Sequence, residues 1–199
     1  MINLGIDFDN TLICYDKLFY NLSLKKGLIN KYIKPKKKNI KEFLINKGLE
    51  KEWTKLQGHI YGEKILEAEE YPGAFSTIKK LNKNNIPINI ISHKTVFPFS
   101  GPKINLRVAA KKWLEKNNFF LDKQLGFTNK NIFFEDTKIL KVNRIIALGC
   151  THYVDDLPEI INMLPNTIER ILFSPNSEYK VSSSIKVINK WSQLADLIL

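Results

Sequence analysis

Downstream of residue 72 the chain alternates between two hydrophobic rhythms, and this alternation constrains its fold more than any other feature. Four short apolar runs read as buried strands: Pro87-Ile88-Asn89-Ile90-Ile91, Asn131-Ile132-Phe133-Phe134, His152-Tyr153-Val154 and Arg170-Ile171-Leu172-Phe173. Around them lie stretches whose apolar residues recur every three or four positions. These helix faces are Ala74, Ile78 and Leu81; Leu106, Ala110, Trp113 and Leu114; Ile139, Val142 and Ile146; and Trp191, Leu194, Ala195 and Ile198. Pro158 suits the first turn of one further helix, where a missing N–H costs little. The opening Ile2-Asn3-Leu4-Gly5-Ile6 adds a strand. Strands separated by helices must run parallel, with both sheet faces covered. The expected fold class is therefore α/β.

Residues 15–72 break this rhythm. Leu18 with Leu22, Ile40 with Phe43 and Leu44, and Leu49 with Trp53, Leu56 and Ile60 mark three helices, and no strand signal lies between them. Pro35 and the lysines around it separate two of these helices. The expected organisation is a core of residues 1–14 and 73–199 with a small, all-helical insertion over 15–72. Residues 175–184 are polar and read as a surface loop.

At 199 residues, with 44% hydrophobic and 26% charged residues, the chain is long enough for one sizeable core. No run approaches the roughly 18 apolar residues of a membrane helix, so no membrane partner is expected. The N-terminus has no basic region followed by an apolar one, and Cys14 and Cys150 are too few for a disulfide framework. The expected location is cytoplasmic. The net charge of +11 raises the question of a nucleic-acid partner. Of the 31 basic residues, however, only Arg107, Arg144 and Arg170 carry the planar fork that suits phosphate and base readout. The abundance of Lys, Asn and Ile fits a bias towards AT-rich codons.

Ligands of parallel sheets bind at the carboxyl ends of the strands. Three strand ends here carry reactive groups: Asp7 with Asp9, then Ser92, then Asp155 with Asp156. A single such Asp is an ordinary cap or turn residue. Four carboxylates and a hydroxyl at three strand ends form a crevice that needs a cation. Oxygen-only ligands suit Mg²⁺.

The residues of this crevice resemble the haloacid-dehalogenase (HAD) superfamily. Asp7-Phe8-Asp9-Asn10-Thr11, after an apolar strand, resembles its first motif, DxDxT; Ser92, after Ile90-Ile91, resembles its second. Lys141, fourteen residues before Asp155, resembles the third, and Tyr153-Val154-Asp155-Asp156 the fourth. The resemblance implies a Rossmann-like three-layer core with a parallel sheet, and it makes the 15–72 insertion a helical cap of the C1 position. It implies that Asp7 is the nucleophile, and that Asp9 is the general acid and then the base. Ser92 and Thr11 would position the phosphoryl group, and Lys141 would neutralise it. Mg²⁺ would be held by Asp7, the Asp9 carbonyl, Asp155 and Asp156. Lys138 is the rival to Lys141. His93 reads either as a substrate ligand or as a strand-end histidine, and Lys94 as a substrate-binding cation. The lysines of the insertion read as a solvated surface or as a second anion site.

Asp9 points the resemblance towards one chemistry. A phosphate ester needs a proton on its leaving group, and members that cleave carbon–halogen bonds lack an acid at that place. The expected activity is a Mg²⁺-dependent phosphatase acting on a small phosphorylated metabolite, a sugar phosphate or a nucleotide, through an aspartyl-phosphate. The alternatives are a polynucleotide 3′- or 5′-phosphatase, a phosphomutase, and a catalytically silent binding module.

Overall fold

The computed structural model describes residues 1–120, 125–175, 179 and 181–199. They form two compact units. One comprises Met1–Ile13, Glu70–Lys94 and Asn118–Leu199, the other Cys14–Glu69 and Thr95–Asn117.

The first unit is built on a sheet of six strands among the described residues: β1 (Leu4–Ile6), β4 (Ile88–His93), β5 (Ile132–Glu135), β6 (His152–Asp155), β7 (Glu169–Phe173) and β8 (Lys186–Ile188). Two further short strands, β2 (Ile13–Cys14) and β3 (Glu69–Glu70), pair with each other. The strand order is β5-β4-β1-β6-β7-β8, and every pairing in this sheet is parallel. Consecutive residues are buried along the strands: Ile90 and Ile91 in β4, Tyr153 and Val154 in β6, and Ile171, Leu172 and Phe173 in β7. Successive side chains point to opposite faces, so burial in sequence means that both faces are covered. One face carries Ile91, Tyr153 and Leu172 under Val142 and Ile145 of α6 (Lys138–Ala147) and Ile160 and Ile161 of α7 (Pro158–Met163). The pair α4 (Ala74–Lys83) and α8 (Trp191–Ile198) packs together, with α8 also against β8. Gly5 lies opposite Tyr153 in the register, and a Cβ there would stand 2.5 Å from the tyrosine ring. That glycine lets the large ring lie across β1.

The connections place β1 at a reversal. From β1 the chain steps outward to β4 and β5, then returns to β6 on the other side and steps out to β7 and β8. The carboxyl end of β1 is therefore the topological switch point, where open α/β sheets bind their ligands.

The second unit contains α1 (Asp16–Lys25), α2 (Lys37–Asn46), α3 (Glu50–Tyr61), a 3₁₀ turn (Ile65–Glu67) and α5 (Leu106–Lys116). Its centre is aromatic. Phe19 stacks on Trp53 at 4.7 Å, and Tyr61 meets Tyr15 and Phe19 edge-on at 4.9 and 5.9 Å. The expected division of the chain differs here, because α5 and the segment leading to it belong to this unit and not to the core. Leu106, Ala110, Trp113 and Leu114 are buried as their spacing predicts, but helical spacing shows only that a face is covered, not by what. The cover is local: α5 packs on the 3₁₀ turn and α3. Trp113 Nε1 donates to the Ala68 carbonyl at 2.9 Å, and Lys116 to that of Leu66 at 2.6 Å. Gly58 permits the close approach of residues 98–101 to α3, since a Cβ there would sit 1.9 Å from the Ser100 carbonyl oxygen.

Two further expectations change. The Ile139, Val142 and Ile146 stripe is not the buried face of α6. Ile139 and Ile146 are 64% and 49% exposed, while Lys141, Val142 and Ile145 face inward. The helix is rolled so that Lys141 and Ile145, not Ile139 and Ile146, meet the sheet beside Val142. The edge strand β8 also had no sequence signal, being three residues long with one buried side chain. Of the 175–184 loop, residues 176–178 and 180 lie outside the described residues. Among the described residues, no helix is long and apolar enough to cross a membrane.

Candidate active site

The loop that leaves β1 is a tight turn. Asp7 N donates to the Val154 carbonyl at 2.9 Å, which extends the β1–β6 ladder by one residue. Leu12 N and Ile13 N both donate to Phe8 O, and Asn10 adopts φ +61°, a left-handed conformation that Asn tolerates. The Thr11 carbonyl accepts from Trp191 Nε1 at 3.1 Å. This scaffold holds Asp7 buried and leaves Asp9 partly open. Thr11 is fully buried, and its Oγ1 has no hydrogen-bond partner among the described residues.

Lys141 organises the centre. α6 begins at Lys138 and is capped by the Thr137 hydroxyl, which accepts from Leu140 N. Lys141 is therefore the fourth helical residue and lies under the helix. Its Nζ donates to Asp7 Oδ1 and Asp155 Oδ2, both at 2.6 Å, with all three residues buried. Lys138 instead pairs at the surface with Glu159. The other Asp155 oxygen accepts from Leu157 N at 2.9 Å, so this carboxylate is fixed at both ends. Tyr153, buried beneath, donates its hydroxyl to the Ile91 carbonyl at 2.6 Å.

Burial raises the Asp7 carboxyl to about 6; Lys141 opposes the rise, and the Asp155 and Asp9 charges add to it. Burial also works against the Lys141 ammonium, but Asp155 and then Asp7 outweigh it and hold Lys141 above the usual lysine range. Burial, followed by the nearby Asp155 and Asp7 charges, keeps the Tyr153 phenol neutral far beyond its ordinary range.

Oxygens of Asp7, Asp155 and Asp156 lie within 4.8 Å of one another. Three converging carboxylates with one ammonium carry an excess of negative charge. An all-oxygen set of this kind fits a hard divalent cation such as Mg²⁺, and Asp7, Asp155 and Asp156 are the side chains that would hold it. Ser92 is buried at the end of β4, next to β1 in the sheet. His93 Nε2 bonds to the Asp136 carbonyl at 3.0 Å. Lys94 reaches Asp9 at 2.8 Å. The sequence offers Lys94 as a substrate-binding cation; its pairing with Asp9 and the Tyr153 bond are not legible there.

The fold has counterparts among known proteins. A hydrolase of Entamoeba histolytica, described as HAD family IA, superposes over 100% of this chain and 99% of its own, with a TM-score of 0.57 at 17% identity. The YfnB hydrolase of Bacillus subtilis, provisionally named and solved with bound magnesium, superposes over 99% and 98% with a TM-score of 0.56 at 13% identity. This chain has the haloacid-dehalogenase fold. In sequence, a protein of Oceanobacillus iheyensis, provisionally named a nucleotidase, is 24% identical over 197 residues and covers 96% of both chains. No family model matches the sequence. Within the haloacid-dehalogenase fold, Asp7, Ser92, Lys141 and Asp155 stand at the carboxyl end of the sheet, at its switch point.

Proposed function

We propose that this chain is a Mg²⁺-dependent phosphatase that acts on a small phosphorylated metabolite through an aspartyl-phosphate on Asp7. One observation carries the reading. A buried ammonium bridges Asp7 and Asp155 at 2.6 Å beside a three-carboxylate cluster, and a second carboxylate, Asp9, stands two residues away on the same tight turn.

The chemistry follows from the charges. An anionic carboxylate repels an anionic phosphate, so the site must supply positive charge on both sides. Mg²⁺ on Asp7, Asp155 and Asp156 would offset charge on the phosphoryl oxygens and align them. Lys141, held at two points, supplies a fixed charge that needs no reorganisation during reaction. An Asp7 oxygen forms a bond to phosphorus as the ester P–O bond breaks, and the leaving oxygen takes a proton from Asp9. Water then attacks phosphorus and returns a proton to Asp9, which frees phosphate and restores the Asp7 carboxylate. Ser92, buried at the end of β4, is assigned to a phosphoryl oxygen. So is Thr11, whose hydroxyl has no protein partner among the described residues. The helical unit is joined to the core directly after Ile13 and again after Lys94, close in sequence to site residues at both points. We assign it substrate selection, the role of a cap.

The provisional name of the Oceanobacillus relative makes nucleoside monophosphates the first substrates to test. The assay measures phosphate release from nucleoside monophosphates, sugar phosphates and p-nitrophenyl phosphate, with Mg²⁺ and with excess chelator. Mg²⁺-dependent release from at least one is expected. No release from any, or undiminished release in chelator, refutes the reading. The +11 charge favours one second reading, a polynucleotide phosphatase. Release from a 3′- or 5′-phosphorylated oligonucleotide, falling steeply with salt, would select it.

A further inference from the structure

The loop after β4 carries a lysine that the mechanism above leaves without a task. Lys94 follows the last residue of the strand, and its backbone is pinned. Its N–H donates to the Glu135 carbonyl at 2.9 Å, which continues the β4–β5 ladder past the His93–Glu135 pair. The preceding ring is anchored as well, through His93 Nε2 on the Asp136 carbonyl. From this fixed base the side chain runs inward. Its Nζ straddles the Asp9 carboxylate, 3.1 Å from Oδ1 and 2.8 Å from Oδ2, and lies 5.5 Å from the centre of the Phe8 ring.

We propose that Lys94 is the positioning residue for Asp9, holding its carboxylate in one orientation for both proton transfers, and is not a ligand of the substrate. The inference rests on the phosphatase reading. Exposure separates the two partners: the Lys94 side chain is 2% exposed, that of Asp9 20%. Asp9 is the end of the pair that a substrate can meet, and Lys94 stands behind it. An ammonium drawn out of water is costly unless it is paired, and here the pairing is to the carboxylate that must serve two partners in turn. In the first step the Asp9 proton goes to the leaving oxygen; in the second Asp9 takes a proton from water. Both transfers require the carboxyl group in the same place. Each carboxylate oxygen has more than one acceptor site, so the bond from Lys94 persists while the other lone pairs exchange the proton. The two aspartates of the first motif thus have separate lysines, Lys141 for Asp7 and Lys94 for Asp9.

The test compares Lys94→Met, Asp9→Asn and the double variant on the best alkyl phosphate substrate from the panel and on p-nitrophenyl phosphate. A nitrophenolate leaves without a proton, so only the second step needs Asp9 with that substrate. With the alkyl phosphate, Lys94→Met is expected to lower kcat about thirtyfold or more, part of the roughly hundredfold or greater contribution of the general acid–base group that it positions, with KM changed less than about threefold. With the aryl phosphate it is expected to give a burst of one nitrophenolate per enzyme followed by slow turnover. The double variant is expected to be no slower than Asp9→Asn alone, because Lys94 acts through Asp9. Lys94→Gln, which keeps a donor of similar reach, carries the same expectations with a smaller loss if the methionine variant does not fold. A large rise in KM with kcat retained would make Lys94 a substrate ligand and overturn the proposal. So would losses that multiply in the double variant, or unchanged kcat in both single Lys94 variants. A wild-type chain that releases phosphate from nothing overturns the phosphatase reading and this inference with it.

Discussion

The buried charges around Asp7 do not balance, and this governs how single residues respond to change. Asp7, Asp155 and Lys141 sum to one negative charge out of water. The Asp7 carboxyl is raised from 3.8 to about 6, so the folded chain binds that proton more tightly than the unfolded chain. Its contribution to stability is complete below about 4 and is lost as pH rises through about 6. Asp7→Asn removes the dependence. In metal-free protein, the variant should melt above the parent by a margin that widens from pH 4 to pH 7. The gain is about 3 kcal/mol, roughly 6–12 °C for a chain of this size. A margin that stays flat or narrows in thermal melts across this range would contradict the charge argument. The same variant should lose at least about a thousandfold in turnover, as a missing nucleophile demands. Lys141 and Lys138 are three residues apart but not equivalent. Lys141→Ala should lower kcat at least about a hundredfold at saturating Mg²⁺. Lys138→Ala breaks a surface pair and should change kcat less than about twofold. The reverse ranking, with the two variants assayed side by side, would reassign the lysine.

Among the elements, the strands were more legible than the helices. A buried parallel strand announces itself as a short apolar run, and β1, β4, β5, β6 and β7 all lie within or next to such runs. Helical spacing finds a helix but leaves its roll open. In α6 the apolar stripe Ile139–Val142–Ile146 lost to the face that carries Lys141, because two buried carboxylates draw that ammonium inward. The strand β8 was missed because its pairing, not its composition, makes it a strand. The contact between β1 and β6 offers a test at this scale. Gly5→Ala would place a methyl group 2.5 Å from the Tyr153 ring, and the ring is held by its bond to Ile91 O. The expected cost is about 1–3 kcal/mol, read as a lowered denaturant midpoint with an unchanged slope. A variant as stable as the parent would show that Tyr153 is free to move aside.

At the scale of the whole molecule, metal and fold are linked. If Asp7, Asp155 and Asp156 hold Mg²⁺ only when brought together, the ion binds the folded chain and not the unfolded one. The melting temperature of metal-free protein should then rise with added Mg²⁺, by roughly 2.7 kcal/mol in stability at a hundredfold excess over the dissociation constant. Asp156→Asn should weaken that response, and a Mg²⁺-independent melting temperature would remove the metal assignment. The sequence by itself determined the α/β class, the parallel sheet, and the strand ends carrying Asp7, Asp9, Ser92 and Asp155. All of these are local matters: apolar period, turn residues and the reach of a few neighbouring positions. The tertiary structure placed Lys141, the lysine its spacing favoured, on Asp7; it alone decided that Lys94 answers Asp9 across 85 residues and that α5 leaves the core for the helical unit. Each of those depends on which surfaces cover one another, and burial of charge and of apolar area is a property of the packed chain that no local run of residues contains.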